Sequence, residues 1–263
     1  FTDLLIKGEI IEDLRPNLYD PVEGTTIADA EVKRITRKTN LAHIRWSLED
    51  GGEIIISTTR PELICACGVV LVHPDDNRYR DMIGKTARLP IKVKGRSDKV
   101  KILSHPSVKM EFGSGVLMVC SYGDQNDVSV FRELKLEPFQ AIDLEGRMTG
   151  IADQLEGMLV AEARSAAIEM LSSDGRLEGL EEREQEIPVS ERGENPIEII
   201  LLKEWYVKQV GIQERLEQLT HEIRFIPERN KQLLLDWMEN ISIDWPISRR
   251  RWYHTEIPIW YTD

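Results

Sequence analysis

The sequence predicts an α+β fold, with a β-barrel-like core, peripheral helices and a C-terminal helical segment. Three observations predict it. Ala42, Ile44, Trp46 and Leu48 alternate strictly with polar residues, the mark of a half-buried strand. Short apolar runs separated by polar turns fill the first half of the chain, as in many-stranded barrel-like proteins. Leu159 to Leu171, and the stretch after Glu204, place apolar residues at helical spacing instead.

Taken in order, Leu4 to Ile11 is apolar-rich and reads as the first strand. Glu31 to Thr36 leads through Thr39-Asn40 into the alternating run. Asp50-Gly51-Gly52 is a hairpin turn, so Glu53 to Ser57 returns as the next strand. Gly68 to Val72 is fully apolar and reads as a buried strand, followed by strands over Ala87 to Val93, Val100 to Leu103 and Val116 to Cys120. Asp127 can N-cap a helix through Val130, Phe131 and Leu134. Leu159 to Leu171 ends at Ser172-Ser173-Asp174-Gly175, a usual helix exit. The acidic stretch Gly175 to Glu186 reads as a solvated loop or helix end. Composition changes near Asn195-Pro196, which divides a domain over residues 1–195 from a helical segment over 196–263. In the latter, Glu204 to Ile223 reads as one helix and Pro227 opens a second, carrying Leu233, Leu234, Trp237 and Met238.

Bulk properties narrow the function. The chain has 263 residues, 41% hydrophobic and 30% charged, as expected of a soluble globular protein. Its net charge of −12 argues against a broad grip on nucleic acid, although one basic pocket for a single-stranded end is compatible with it. No run reaches the roughly 20 apolar residues of a membrane span. Phe1 rather than Met opens the chain, without the features of a signal peptide, so a fragment is expected. The three cysteines, Cys65, Cys67 and Cys120, have no zinc-knuckle spacing and read as small buried hydrophobes in a cytoplasmic setting. His73-Pro74-Asp75-Asp76 reads as a turn, and Asp75-Asp76 and Glu181-Glu182-Arg183-Glu184 as solvated charges. The remaining histidines, His43, His105, His221 and His254, show no partner in sequence.

Two polar knots stand out. Ser57-Thr58-Thr59-Arg60-Pro61-Glu62 closes an apolar strand. Phe112-Gly113-Ser114-Gly115 is followed by Tyr122-Gly123-Asp124-Gln125-Asn126-Asp127. Taken singly, each also reads as an ordinary strand exit, glycine turn or capped loop. Together they supply hydroxyls, a guanidinium and two carboxylates, with no histidine base, nucleophilic cysteine or metal cluster. That set suits holding a charged, hydroxyl-bearing ester while water attacks it. A carboxylate at a helix start is stabilised there, and a fixed anion can pair with a substrate ammonium.

In this order, the segments resemble the inserted editing domain, connective peptide 1, of class I aminoacyl-tRNA synthetases. The resemblance runs from Tyr19-Asp20-Pro21 to the return segment Asp244-Trp245-Pro246-Ile247-Ser248-Arg249-Arg250-Arg251 with Ile257-Pro258-Ile259-Trp260, essentially the whole chain. Thr58-Thr59-Arg60-Pro61-Glu62 with Val72-His73-Pro74-Asp75-Asp76 is most similar to the valyl type, and Leu63 with Tyr122-Gly123-Asp124 to its archaeal subtype. Gly123 stands where many relatives have histidine. Met118 and Cys120 stand where bacterial valyl enzymes have lysine and threonine. Ser190-Glu191-Arg192-Gly193-Glu194 replaces a segment where relatives carry zinc-binding cysteines, so no metal is expected.

The resemblance implies post-transfer editing, the hydrolysis of threonine mis-esterified to valine tRNA. The need is physical, because an apolar pocket rejects such an isostere by only about a hundredfold, a figure established for valyl enzymes and not obtained from this sequence. It implies that Asp127 binds the substrate ammonium, Asp124 accepts the threonine hydroxyl, and Thr58 and Thr59 position ester and water. Arg60 and Glu62 contact the terminal adenosine or its phosphate, or orient the loop. Phe112 walls or stacks on the adenine, beside Gly113, Ser114, Gly115 and Cys120. The sugar hydroxyl of the substrate assists the water. The partner implied is the 3′ end of valine tRNA, together with the rest of a synthetase, acting as a monomer. Neither His-Ile-Gly-His nor Lys-Met-Ser-Lys-Ser occurs, so ATP and magnesium belong to a synthetic site outside this sequence, and no cofactor is expected here. An isoleucyl-type editor clearing valine, or a noncatalytic module binding a tRNA end, are the alternatives.

Overall fold

The computed structural model describes residues 1–239, 241, 244–250 and 255–261. It is α+β, and by internal contacts it divides into two units, Pro16–Ile200 and Phe1–Arg15 with Leu201–Asp263. In chain order the elements are α1 (Thr2–Ile6), β1 (Ile10–Asp20), β2 (Thr25–Thr26), β3 (Val32–Ser47), β4 (Glu53–Thr58), β5 (Cys67–Val72), β6 (Thr86–Arg88), β7 (Lys99–Ser104), β8 (Val116–Cys120), α2 (Gln125–Glu133), α3 (Val160–Ser173), β9 (Leu177–Ser190), β10 (Glu198–Val207), α4 (Gln213–Thr220), α5 (Asn230–Glu239) and β11 (Trp245–Pro246). Short 3-10 turns at Pro61–Ala66 and Gly150–Leu155 complete the frame of the site. Among the described residues, no helix is long and apolar enough to cross a membrane.

Two sheets build the larger unit. One runs β4-β3-β9 and the other β6-β7-β5-β8, and they remain separate sheets rather than closing into one barrel. β3 and β4 pair antiparallel from Ala42↔Thr58 to Ser47↔Glu53, the predicted hairpin. Ala42, Ile44, Trp46 and Leu48 all point into the core, with Trp46 fully buried. Each large side chain placed there contributes about 1.5–3 kcal/mol. β5 is the central strand of its sheet, parallel to β7 and antiparallel to β8. Its apolar run Val69-Val70-Leu71-Val72 is covered on both faces, by the main core and by a smaller cluster with Val130 and Phe131 of α2. α3 buries Ala163, Ala167 and Leu171, a one-sided stripe at helical spacing. The two alanines let α3 approach the Pro61–Ala66 turn closely, so the helix reaches the site.

Several sequence expectations need correction. The opening residues form α1, not a strand, with Asp3 in its first turn. The strand expected over Ala87 to Val93 stops at Arg88, and Pro90 cannot continue a ladder. The acidic stretch after Gly175 is β9, paired along β3 from Val32↔Ser190 to Ile44↔Leu177. Its charges find partners across the ladder: Lys38 Nζ lies 2.8 Å from Glu182, and Arg45 pairs with Glu178. Charge density suggested a loop because the opposite charges lie far away in sequence.

In the smaller unit, Glu204 to Val207 belongs to β10, which pairs with β11 at Tyr206↔Pro246, and the helix α4 begins only at Gln213. The continuous apolar run there carried no decisive period. α5 starts at Asn230, after Pro227, and carries Leu233, Leu234, Trp237 and Met238 as expected. Arg251 of the return segment, and His254, lie outside the described residues.

Candidate functional site

The Ser57–Glu62 segment leaves β4 and enters the Pro61–Ala66 turn, with Pro61 at its first position. Thr58 Oγ1 accepts the Arg60 amide at 3.0 Å, a local turn that aims the arginine inward. The segment touches both halves of the second knot, on two different sides.

On one side is the glycine turn. Ser57 Oγ accepts the Ser114 amide at 2.9 Å and lies 2.8 Å from His43 Nδ1. His43, Ser114 and Gly113, with Ile55, Arg78, Tyr79 and Glu178, line a cavity of 380 Å³. His43 therefore has partners that its sequence position did not reveal, because Ser57 reaches it across the β3–β4 ladder. Asp76 is likewise not solvated. It is buried and holds Arg78, while Arg78 Nη2 also donates to the Met110 carbonyl at 2.8 Å. Phe112 is exposed, with the Arg183 guanidinium 4.4 Å above its ring.

Gly113 and Gly115 have positive φ, +55° and +80°. A Cβ on Gly113 would sit 2.5 Å from that of Ser57, and one on Gly115 would sit 2.6 Å from the Met110 carbonyl. Both positions thus need glycine twice over, for backbone conformation and for close approach. We expect Gly113→Ala to lower stability by about 1–3 kcal/mol, read as a lower thermal midpoint.

On the other side is the carboxylate loop. Asp124, not Asp127, is the N-cap of α2, and its Oδ1 accepts the Asp127 amide at 2.8 Å. The sequence offered two aspartates three apart, and the cap fell to the earlier one. Asp127 is therefore in the first turn, with Oδ2 accepting the Cys120 amide at 3.0 Å. Gly123 has no side chain, which leaves the Asp127 carboxylate its space. Among the described residues, no cation lies within ion-pairing distance of Asp127. Burial and the neighbouring Asp124 carboxylate push its carboxyl well above the usual range, while the Cys120 amide and Arg60 pull it down.

Arg60 joins the two knots. Its Nε donates to Glu62 at 3.0 Å, its Nη2 to Glu198 at 2.7 Å and its Nη1 to the Gly123 carbonyl at 3.2 Å. Glu62 is fully buried and also takes two hydrogen bonds from Arg164, at 3.0 and 2.7 Å. Burial alone would raise the Glu62 carboxyl, but the Arg60 and Arg164 guanidiniums hold it below the usual range. Sequence reasoning missed Arg164 and Glu198, which stand 102 and 138 residues away from their partners.

The three thiols are buried and free. Burial pushes the Cys65 thiol up to about 12 and raises Cys120 well above its ordinary value, where a hydrogen bond with Cys67 adds to it. Such thiols stay protonated at neutral pH and are poor nucleophiles. Cys120 thus enters the site through its backbone amide, and Met118 beside it is buried too. Thr58 and Thr59 are half-buried and Asp124 is exposed. On the Asp127 side the available chemistry is polar anchoring, while on the glycine-turn side the Ser57 hydroxyl lies against the His43 imidazole, a pairing the sequence motifs did not reveal.

Comparison with known proteins gives one consistent picture. A family model described as "tRNA synthetases class I (I, L, M and V)" matches residues 1–263. The chain is similar to a valine–tRNA ligase of Nanoarchaeum equitans, 45% identical over 99% of this chain and 34% of that protein. It is also similar to valine–tRNA ligases of Aeropyrum pernix, at 39% identity over 99% of this chain and 31% of that protein, and of Rickettsia typhi, at 34% over 100% and 32%. The chain spans about a third of the length of the curated relatives it matches.

Proposed function

The chain belongs to the class I tRNA synthetases of the isoleucine, leucine, methionine and valine group, and we propose that it is the editing part of a valyl-type member, hydrolysing threonine mis-esterified to valine tRNA. The observation that carries this reading is Asp127. It is a half-buried carboxylate, held by the Cys120 amide and the α2 cap, with no cation paired to it among the described residues. An aminoacyl ester supplies such a cation as its α-ammonium.

The roles in this reading are as follows. Asp127 binds the ammonium and so fixes the ester carbon. Thr58 and Thr59, partly exposed at the end of β4, hold the ester and its water. Asp124 uses one carboxylate oxygen on the helix cap and has the other available for a substrate hydroxyl. Phe112 offers a ring edge to the terminal adenine, beside Gly113 and Ser114. Arg60 and Glu62 are engaged internally and orient the loop. Water attacks the ester carbonyl, with the ribose hydroxyl next to the ester taking part in proton movement, and the acyl–oxygen bond breaks to release threonine and free tRNA. Orientation and charge placement supply most of the rate. The 3′ end of a tRNA and the remainder of a synthetase are the partners, ATP and magnesium serve the synthetic site elsewhere in such an enzyme, and the setting is cytoplasmic.

Met118 and Cys120 give the second reading its support, since both are buried low-polarity side chains on β8, and Cys120 offers Asp127 its backbone amide rather than a side-chain hydroxyl. Valine clearance by an isoleucyl-type editor is that reading. One assay decides, namely deacylation by this chain of valine tRNA charged with threonine or valine and of isoleucine tRNA charged with valine. We expect threonine to leave valine tRNA at least about tenfold faster than valine does, because valine leaves the hydroxyl-reading groups unpaired. Faster release of valine from isoleucine tRNA would transfer the assignment. Binding without turnover would make the chain a tRNA-end module.

A further inference from the structure

Arg164 and Glu198 touch neither polar knot's recognised motif in sequence, yet the structure connects both to the Asp127 loop through one arginine. Arg164 on α3 clamps Glu62 with two hydrogen bonds, and Glu62 takes Arg60 Nε. Glu198 on β10 takes a second nitrogen of the same guanidinium, Arg60 Nη2. The remaining guanidinium nitrogen, Nη1, donates to the Gly123 carbonyl. Gly123 directly precedes Asp124, whose carboxylate caps the Asp127 amide, and the Asp127 carboxylate returns to Cys120. The chain of contacts is thus Arg164, Glu62, Arg60, Gly123, Asp124, Asp127, with Glu198 as the second brace on Arg60.

We propose that Arg164 and Glu198 are positioning residues for the editing reaction, setting where the Arg60 guanidinium sits and thereby the place and charge of Asp127. The inference rests on the editing assignment above. A bidentate clamp from α3 fixes the Glu62 plane, and a carboxylate fixed on both oxygens offers Arg60 one direction only. Glu198 holds a second nitrogen. With Nε and Nη2 both engaged, the planar guanidinium is fixed and its Nη1 stays on the loop carbonyl of Gly123. A loop carbonyl held this way cannot drift, and a shift of about 1 Å at a substrate anchor costs about a hundredfold in rate.

The two braces act with opposite electrostatic sign on Asp127. The groups facing its carboxyl are Asp124 from the start of α2, the Cys120 amide and thiol from β8, and Arg60 from the β4 exit. Removing Arg164 leaves Glu62 with one cation fewer, so Arg60 is drawn toward Glu62 and away from Gly123. Asp127 then loses part of the attraction of the Arg60 cation that faces it. Removing the Glu198 charge leaves Arg60 less neutralised, which favours the Asp127 carboxylate.

The test is a carbon-13 titration of the Asp127 side chain by NMR, beside the acid limb of kcat/KM for threonine release from valine tRNA. Arg164→Met should move the Asp127 midpoint and the acid limb up by at least about half a pH unit, and Glu198→Gln should move both down. Arg164→Lys keeps the charge and should restore most of the midpoint without restoring the full rate. Unmoved titrations, or shifts of the same sign in both variants, would overturn the proposal. Glu198→Gln conserves shape and carries the test alone where Arg164→Met folds poorly. Opposed NMR shifts in a chain that releases no amino acid would instead preserve the braces and remove the editing assignment.

Discussion

Asp127→Asn should cut threonine release from valine tRNA by roughly ten- to a hundredfold or more in kcat/KM while leaving the protein at least as thermally stable as before. The two halves of this expectation come from one fact. The Asp127 carboxyl is pushed above its ordinary 3.8 by burial and by Asp124. The folded state therefore binds a proton more tightly than the unfolded chain, so this group's contribution to stability falls as pH rises between the unfolded and folded values. In its ionised form the carboxylate is a standing cost to the fold. Asparagine keeps the shape and can still accept the Cys120 amide, yet carries no charge to desolvate. Only an incoming cation makes the charge favourable, so the cost is the sign of a binding role.

The same shift fixes the pH dependence. As pH falls through the folded value, Asp127 takes up its proton and the substrate ammonium loses its counter-ion. The acid limb should therefore lie above the ordinary aspartate range. The alkaline limb belongs to the substrate amine, which loses its proton near pH 8. An acid limb unchanged in Asp127→Asn would remove the ammonium-anchor role.

What was legible in the sequence follows from distance along the chain. The β3–β4 hairpin was readable because alternation and its turn signal sit within one short window. β8 matched to the residue, since Val116 to Cys120 is bounded by a glycine turn and a polar loop. The acidic β9 was not readable, because its partners on β3 lie more than a hundred residues away, and local charge without its counter-charge looks solvated. The site divided in the same way. The two knots were visible as motifs, and the turn that joins Ser57 to Ser114 suits their order. Which carboxylate capped α2, and that Glu62 would be fully buried between two arginines, depended on α3 and β10, which no motif announces. Arg60 was read as facing substrate or orienting the loop, and the three partners of its side chain favour the second.

Glu62→Gln should be the most destabilising single change in the site. Glu62 has no exposed surface and joins two guanidiniums. Replacing it leaves both arginines facing one another across a neutral amide that can accept from only one oxygen. Breaking a buried ion pair from one side costs about 3–5 kcal/mol. The lower end applies here, because the Arg60 and Arg164 side chains keep 25% and 36% of their surface exposed and solvent relieves part of their charge. A loss of about 3 kcal/mol corresponds to a fall of about 6–12 °C in Tm for a chain of this size. The double variant Glu62→Gln with Arg164→Met should recover part of that loss, since it removes the stranded charge along with its partner, and additive losses would contradict the shared network. The pH dependence has the opposite sign to that of Asp127. Glu62 is held below its ordinary 4.5, so its stabilisation is complete above that value and disappears as pH falls through the lower folded value. Unfolding free energy measured from pH 6 downward should therefore drop more steeply below about 4.5 in the wild type than in Glu62→Gln, and parallel curves would show that the two arginines do not hold the carboxylate ionised.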